Sequence, residues 1–231
     1  MKLSIVVPVY NEAETIREIL AKIEKTVLPL AKEIIVVDDG STDRTKEILA
    51  DLRLPNCRVL FSDHNQGKGA ALRRGFVQAT GDIILVQDAD LEYDPAEYPK
   101  LLEPILAGKA DAVFGSRFIG SEPHRVLYFW HYLGNKLLTV FSNMLNGLSL
   151  TDMEAGYKVF TRQALDKILP RLSADRFGFE PEIAARVARA KLRLYEVGIS
   201  YSGRTYSEGK KINWRDGLAA VWHIIRYSLF D

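Results

Sequence analysis

The chain is short of most features that assign a class at a glance. Cys57 is its only cysteine, so no intrachain disulfide can form, which fits a reducing compartment. Net charge is only +1, which leaves no bulk field to attract nucleic acid. Nowhere do about 18 apolar residues run uninterrupted, so no membrane-spanning helix is expected. The nearest approach, residues 126–148, is broken by His131, Asn135, Lys136 and Asn143. A Gly-x-Gly-x-x-Gly signature is missing after the first apolar run, where Pro8-Val9-Tyr10-Asn11-Glu12 stands, and this argues against a dinucleotide oxidoreductase. Gln66-Gly67-Lys68-Gly69 lacks the glycine and Ser/Thr pattern of a Walker loop. It reads as a tight turn or as a helix N-terminus near a nucleotide, with Lys68 near a phosphate. Repeats, low-complexity tracts and linkers are not visible. Met1-Lys2-Leu3-Ser4 enters an apolar run directly, so no signal peptide is expected.

What is present is an alternation of strands and helices. Apolar, β-branched runs predict strands over 3–9, 33–37, 58–61, 83–87 and 112–115. Between them, Ile16, Ile19, Leu20 and Ile23 recur at helical spacing, with Asn11 and Glu14 as a candidate capping box. Ile48, Leu49 and Leu52 mark a second helix, residues 67–79 a third, and Asp94-Pro95 opens a fourth. This rhythm predicts an α/β domain with a Rossmann-like, mostly parallel central sheet and helices on both faces. The second half is less regular. Helices are expected over 126–148 and 177–191, a strand over 192–197, and a helical C-terminal extension carrying Trp214, Leu218, Val221, Trp222, Ile225 and Leu229.

In such sheets ligands bind at the carboxyl ends of the strands. The polar clusters fall there: Tyr10-Asn11-Glu12, Asp38-Asp39, Asp88-Ala89-Asp90 and Ser116-Arg117. Asp88-Ala89-Asp90 is the most telling. Two carboxylates one residue apart repel, and a divalent cation relieves the repulsion. Hard oxygen ligands suit Mg²⁺ or Mn²⁺, which also bind a substrate diphosphate. The competing reading is a loop in which both aspartates cap the next turn.

Six segments, in order, resemble the family 2 glycosyltransferases of the GT-A fold, and among them the dolichyl- and polyprenyl-phosphate sugar synthases that transfer mannose or glucose. They are Val7-Pro8-Val9-Tyr10-Asn11-Glu12, Val37-Asp38-Asp39-Gly40-Ser41, Asn65-Gln66-Gly67-Lys68-Gly69, Asp88-Ala89-Asp90, Gly115-Ser116-Arg117-Phe118, and Arg204-Thr205-Tyr206-Ser207-Glu208-Gly209-Lys210. The resemblance implies one GT-A domain over 1–231, with a nucleotide-sugar-binding half (1–120) and an acceptor-side half (121–231). It implies an inverting, metal-dependent transferase that takes a hexose from a GDP-mannose or UDP-glucose type donor. The implied acceptor is a polyprenyl or dolichyl phosphate at the cytoplasmic face of a membrane, with the protein peripheral to that membrane. Pro8, Tyr10, Glu12, Val37 and Asp39 fall where relatives hold the base and ribose. Asp39 or Asp38 could instead cap the following helix. Asp88, Ala89 and Asp90 fall at the ribose and metal–diphosphate, with Asp90 the principal ligand. Glu92 is expected as a ligand, a neighbour of the metal or a solvated loop carboxylate. Arg117, Arg204 and Lys210 match basic positions around the phosphates.

The acceptor decides whether a base is needed. A phosphate monoester is already anionic near neutral pH, its second pKa being about 6. A hydroxyl acceptor on a glycan, the alternative substrate, would need a general base. Asp152 and Glu154 are the acids on offer, in a segment resembling the family's acceptor-side motif. For Asp152 the roles of base, orienter of the acceptor phosphate and structural cap stay open. An inactive sugar-nucleotide-binding scaffold is the reading from another class. One departure stands out: the mannose synthases carry extra basic residues after Gly-Ser-Arg, whereas this chain has Tyr128-Phe129-Trp130-His131-Tyr132 between Arg125 and Lys136. Residues 126–148 and 214–230 suit helices lying in a membrane surface, and equally suit packing on the sheet.

Overall fold

A computed structural model describes residues 1–120, 122–126, 128–176, 178–205 and 214–230. The described residues form seven strands in one sheet, ordered β3-β2-β1-β4-β6-β5-β7. The strands are β1 (Lys2–Val9), β2 (Ala31–Asp38), β3 (Cys57–Phe61), β4 (Ile83–Val86), β5 (Ala112–Ser116), β6 (Lys158–Thr161) and β7 (Leu194–Gly198). β1 pairs in parallel with β2 and β4, β2 with β3, and β5 with β7. Only β6 runs against its neighbours, β4 and β5. The sheet is thus mostly parallel, as expected. β6 escaped the sequence reading because it is four residues long and opens on a lysine.

The period-2 alternation of a strand divides the core into two layers. Leu3, Ile5 and Val7 of β1 face α1 (Ile16–Lys25), through Ile16, Ile19, Leu20 and Ile23, and α4 (Tyr98–Leu106). Val6 faces the opposite layer, where α3 (Lys68–Gln78) packs with Leu72 and Phe76 and α7 (Phe179–Arg189) with Ile183. A Cβ on Gly75 of α3 would collide with the Val6 side chain, so a glycine there lets the helix seat on β1. The remaining helices are α2 (Thr45–Ala50), α5 (Phe129–Asn146), α6 (Arg162–Ile168) and α8 (Trp214–Ile225), the last continuing into a π-helical turn at Arg226–Phe230.

The expected capping box is not formed. α1 begins at Ile16 behind Thr15, and Asn11 sits in the left-handed region (φ 54°), which asparagine tolerates better than most residues. Asn11 ties the end of β1 to the loop after β2 instead. Its N–H donates to Ser41 Oγ (3.0 Å) and its Oδ1 accepts from Thr42 N (2.8 Å).

Candidate active site

The carboxyl ends of β1, β2, β4 and β5 open on one edge of the sheet, and most of the predicted site residues gather along it. Asp88-Ala89-Asp90 leaves β4 behind Gln87, whose side chain is buried. Gln87 Oε1 accepts from the hydroxyls of Tyr98 and Tyr157 (both 2.8 Å), and its Nε2 donates to Asp88 O (2.9 Å). These bonds fix the peptide from which the aspartates project. Leu91 then adopts φ 62°. A leucine held there costs on the order of 1–3 kcal/mol, and the Glu92 N–H that follows donates to Asp90 Oδ1 (3.3 Å).

The charges at this end are uneven. Lys68, at the N-terminus of α3, bridges Asp88 Oδ1 (2.8 Å) and Glu180 Oε1 (3.0 Å). Gly156 leaves room for the Asp88 carboxylate, which a Cβ would strike. Arg204 spans Glu12 (3.0 and 3.2 Å) and Asp90 Oδ2 (3.2 Å), and its Nε lies 3.9 Å from Glu92. One guanidinium therefore faces three carboxylates. Burial, with Asp88 and Glu92 nearby, pushes the Asp90 carboxyl up to about 7 against the pull of Arg204.

No group of three or more His, Cys, Asp or Glu side chains is gathered as a metal cage among the described residues. The donor set nonetheless fits a hard divalent cation. Mg²⁺ is commonly held by one or two carboxylates, with water and substrate phosphates completing its shell. Asp90, crowded by like charge, with Asp88 two residues away, supplies such a pair. Glu92, the third acid expected there, accepts from the Tyr201 hydroxyl and Arg204 N, as Asp88 accepts from Lys68 through both oxygens.

The remaining nucleotide-side residues sit close by. Pro8 and Val37 are register partners across β1 and β2, and Val37 is fully buried in the core, so only its backbone can face a ligand. Tyr10 follows the end of β1 and is partly exposed. Asp39 does not cap α2. Its carboxylate accepts from Asn65 Nδ2 (2.9 Å), Gln66 N (3.0 Å) and Gly67 N (2.6 Å), which ties down the turn before Lys68. Asp38 Oδ2 accepts from Ser41 N (3.3 Å), while its buried Oδ1 has no hydrogen-bond partner among the described residues.

Arg117 and Asp152 form a second, closed group. The guanidinium grips the carboxylate with Nε (2.6 Å) and Nη2 (2.8 Å), and the Arg117 N–H adds a third bond (3.1 Å). Asn135 Nδ2 of α5 donates to Asp152 Oδ1 (3.3 Å). From β7, Glu196 accepts from Thr151 N and Asp152 N, which holds the loop in place. Burial alone would raise the Asp152 carboxyl, but the Arg117 charge and hydrogen bonds overcome it and hold it below the usual range. Arg117 also lies 5.0 Å from the Tyr201 ring, a cation–π contact. Glu154 contrasts with Asp152. Burial and then Glu180 push it up to about 8, and its Oε1 is buried without a partner among the described residues.

The sequence singled out neither Glu180, Gln87 nor Tyr201. Glu180 opens a predicted helix two residues after Gly178, a weak signal for a site. Lys210 and the preceding residues 206–209 lie outside the described residues.

A family model described as Glycosyl transferase family 2 matches residues 4–169, more than half of the chain. The chain belongs to glycosyl transferase family 2. It is 30% identical over 250 residues to an undecaprenyl-phosphate mannosyltransferase of Micrococcus luteus, covering 99% of each chain. It is 32% identical over 234 residues to the low-salt glycan biosynthesis hexosyltransferase Agl6 of Haloferax volcanii, covering 99% of this chain and 53% of that protein. In fold it is similar to glucosyl-3-phosphoglycerate synthase from Mycobacterium tuberculosis, crystallised with Mn²⁺, uridine diphosphate and phosphoglyceric acid. The TM-score is 0.75 at 21% identity, covering 100% of this chain and 79% of that one. This family 2 chain is therefore a glycosyltransferase of GT-A architecture, in which neighbours of the same fold have been crystallised with Mn²⁺ or Mg²⁺.

Proposed function

We propose that this glycosyltransferase moves a hexose from a GDP-mannose or UDP-glucose type donor to a polyprenyl phosphate, with inversion at the anomeric carbon. The single observation that carries the acceptor class is the state of Asp152. Its carboxylate is bound by Arg117 and Asn135 and held at low pKa, so it is a poor proton acceptor. A phosphate acceptor needs no deprotonation; it needs cations to place it. Arg117, steadied by Asp152 and Tyr201, is the cation at that side of the site.

In the reaction an acceptor phosphate oxygen bonds to the anomeric carbon as the bond to the diphosphate oxygen breaks. The nucleoside diphosphate leaves with the electron pair. Asp90, with Asp88, would hold the divalent cation, which supplies charge to the leaving diphosphate. Arg204 lies against Asp90 and supplies a second positive charge there. Lys68 keeps Asp88 oriented. The backbones of Pro8 and Val37, with Tyr10, Glu12, Asp39 and Ala89, would line the base and ribose, and Lys210 would join the phosphate contacts.

A lipid-borne acceptor requires access to a membrane surface. No described helix is long and apolar enough to cross one. α5 turns Leu138, Phe141 and Leu145 inward and leaves Phe129, Trp130, Leu137 and Met144 exposed. After α8, Leu229 and Phe230 are exposed as well. Exposed aromatics beside Arg125, Lys136 and Arg226 suit an interfacial surface at the cytoplasmic face.

One observation favours a second reading. Glu154, raised to about 8, is a competent base for a hydroxyl acceptor. The deciding experiment supplies the protein with Mn²⁺, liposomes containing polyprenyl phosphate, and either GDP-mannose or UDP-glucose. Lipid-linked sugar is expected from one donor only, with EDTA abolishing it. Transfer only to a free glycan hydroxyl, or transfer that persists in EDTA, overturns the proposal.

A further inference from the structure

We propose that Lys158 is a positioning residue: from inside the core its amine clamps the loop of residues 152–156 and so fixes Arg117 and Asp152 relative to Asp88. The clamp rests on hydrogen bonds alone, and its use rests on the sugar transfer proposed for this site.

Lys158 opens β6 and is 1% exposed. Its Nζ donates to Met153 O (3.3 Å) and to Ala155 O, and lies 4.6 Å from the centre of the Phe114 ring. Those acceptors are peptide oxygens, not carboxylates. Burial, with Lys68 nearby, lowers the amine to about 8 against the attraction of Glu180, Asp152 and Glu154. Removing an ammonium from water costs several kcal/mol, and an apolar residue of similar volume is often no worse for stability. The neighbouring core positions of β6, Val159 and Phe160, are apolar. A lysine at this place is therefore best explained by the loop that its amine grips.

That loop joins the two sides of the site. At its start Asp152 holds the Arg117 guanidinium. At its end Gly156 lies against Asp88, whose carboxylate a Cβ there would strike. The two clamped carbonyls fall between these points and bracket Glu154. The N–H groups of the loop are tied from other elements. Asp152 N donates to Glu196 of β7 (3.0 Å), Met153 N to Thr139 Oγ1 of α5 (3.2 Å), and Gly156 N to the Tyr93 hydroxyl (3.0 Å). Lys158 adds the ties to the carbonyls, from β6. Without them the peptides around Glu154 are free to rotate, and Arg117 shifts relative to Asp88. A displacement of about 1 Å between reacting groups can cost about a hundredfold in rate.

The test uses Lys158→Met, which keeps an apolar body of similar length but no donor, and Lys158→Arg, which keeps a cationic donor. Lys158→Gln, polar but too short to reach both carbonyls, remains decisive should Lys158→Met fold poorly. Hydrogen exchange, read by mass spectrometry on peptides covering 151–156, needs no ligand. Exchange there is expected to rise about tenfold in Lys158→Met and Lys158→Gln and to stay near wild type in Lys158→Arg. Exchange unchanged in the folded Met or Gln variant overturns the clamp. Transfer to polyprenyl phosphate in liposomes, with Mn²⁺ and the preferred donor, then tests positioning. In Lys158→Met or Lys158→Gln kcat should fall about a hundredfold, while calorimetry with UDP or GDP in Mn²⁺ gives a dissociation constant within about threefold of wild type. Lys158→Arg should restore kcat to within about tenfold of wild type. A lysine that serves the fold alone would lower the folded fraction and leave kcat per folded molecule unchanged. That result, or a folded Lys158→Arg as slow as Lys158→Met, overturns the proposal. If wild type transfers no sugar, the proposed function fails, and the exchange result still decides the clamp.

Discussion

Asp90 and Asp152 are the same residue type, both largely removed from solvent, yet their surroundings drive them in opposite directions. Around Asp90, Asp88 and Glu92 add negative charge, and the nearby guanidinium of Arg204 is shared with Glu12 and Glu92. Its carboxyl rises to about 7. Asp152 is gripped by Arg117 through two nitrogens and the backbone N–H, with Asn135 in addition. Its carboxyl is held low. Burial penalises both charges; what differs is the local balance of partners. The Asp152 carboxylate is itself compensated and suited to holding Arg117 still. The Asp90 region has an excess of acid that a bound cation would relieve.

The largest expected effect breaks the Asp90 side. Asp90→Ala is predicted to lower transfer by about a thousandfold, the scale of losing a group that supports a developing charge. A thermal-shift titration separates this from misfolding. Wild type should gain about 2.7 kcal/mol at a hundredfold excess of the preferred nucleotide, UDP or GDP, over its dissociation constant in Mn²⁺, and Asp90→Ala should gain almost none. An undiminished shift in the variant would remove Asp90 from the binding site. The next effect breaks the Asp152 side. Asp152→Asn leaves a buried guanidinium without its counter-charge, and unfolding by denaturant should show a loss of about 3 kcal/mol. Transfer to polyprenyl phosphate should fall with Arg117 placement while its pH profile keeps its shape. A profile that loses its acid limb in Asp152→Asn would identify Asp152 as the base and shift the acceptor toward a hydroxyl.

The sequence disclosed these two regions unequally, for physical reasons. Buried parallel strands need β-branched runs on both faces, so β1, β2 and β4 were visible, and with them the edge at which ligands bind. The acidic pair Asp88 and Asp90 stood out because its spacing is local. β6 was hidden, since four residues opening on Lys158 carry no periodicity, although this strand brings the Asp152 loop up to β5. The pairings that set the charge balance are remote in the chain. Arg204 and Glu12 are 192 residues apart, and nothing in either segment predicts that they meet. Asn11 looked like a helix cap because Glu14 follows at capping-box spacing. The structure uses the same side chain to join two loops, a tertiary demand that overrides the local signal.

The smallest expected effect sharpens the comparison from outside the site. Glu33 sits near the amino ends of the strands, the edge opposite Asp90, in a network as well satisfied as that of Asp152. It accepts from Lys2 Nζ (2.7 Å), Ser4 Oγ (2.5 Å) and Thr80 N (2.8 Å). Burial opposes its charge, but these bonds win and lower its carboxyl to about 2. A carboxyl depressed on folding stabilises the protein above its unfolded pKa, near 4.5, and that stability is lost as pH falls toward 2. With Lys2 partly exposed, solvent screening reduces the contribution to about 1–2 kcal/mol. Glu33→Gln should therefore lower stability by that amount at pH 7 and by progressively less on acidification, as read from denaturant midpoints across pH. Nucleotide binding in Mn²⁺ should be unaffected at pH 7. If Glu33→Gln weakened nucleotide binding as Asp90→Ala does, charge at either edge of the sheet would matter equally, and the carboxyl-end excess of acid could not be what distinguishes the site.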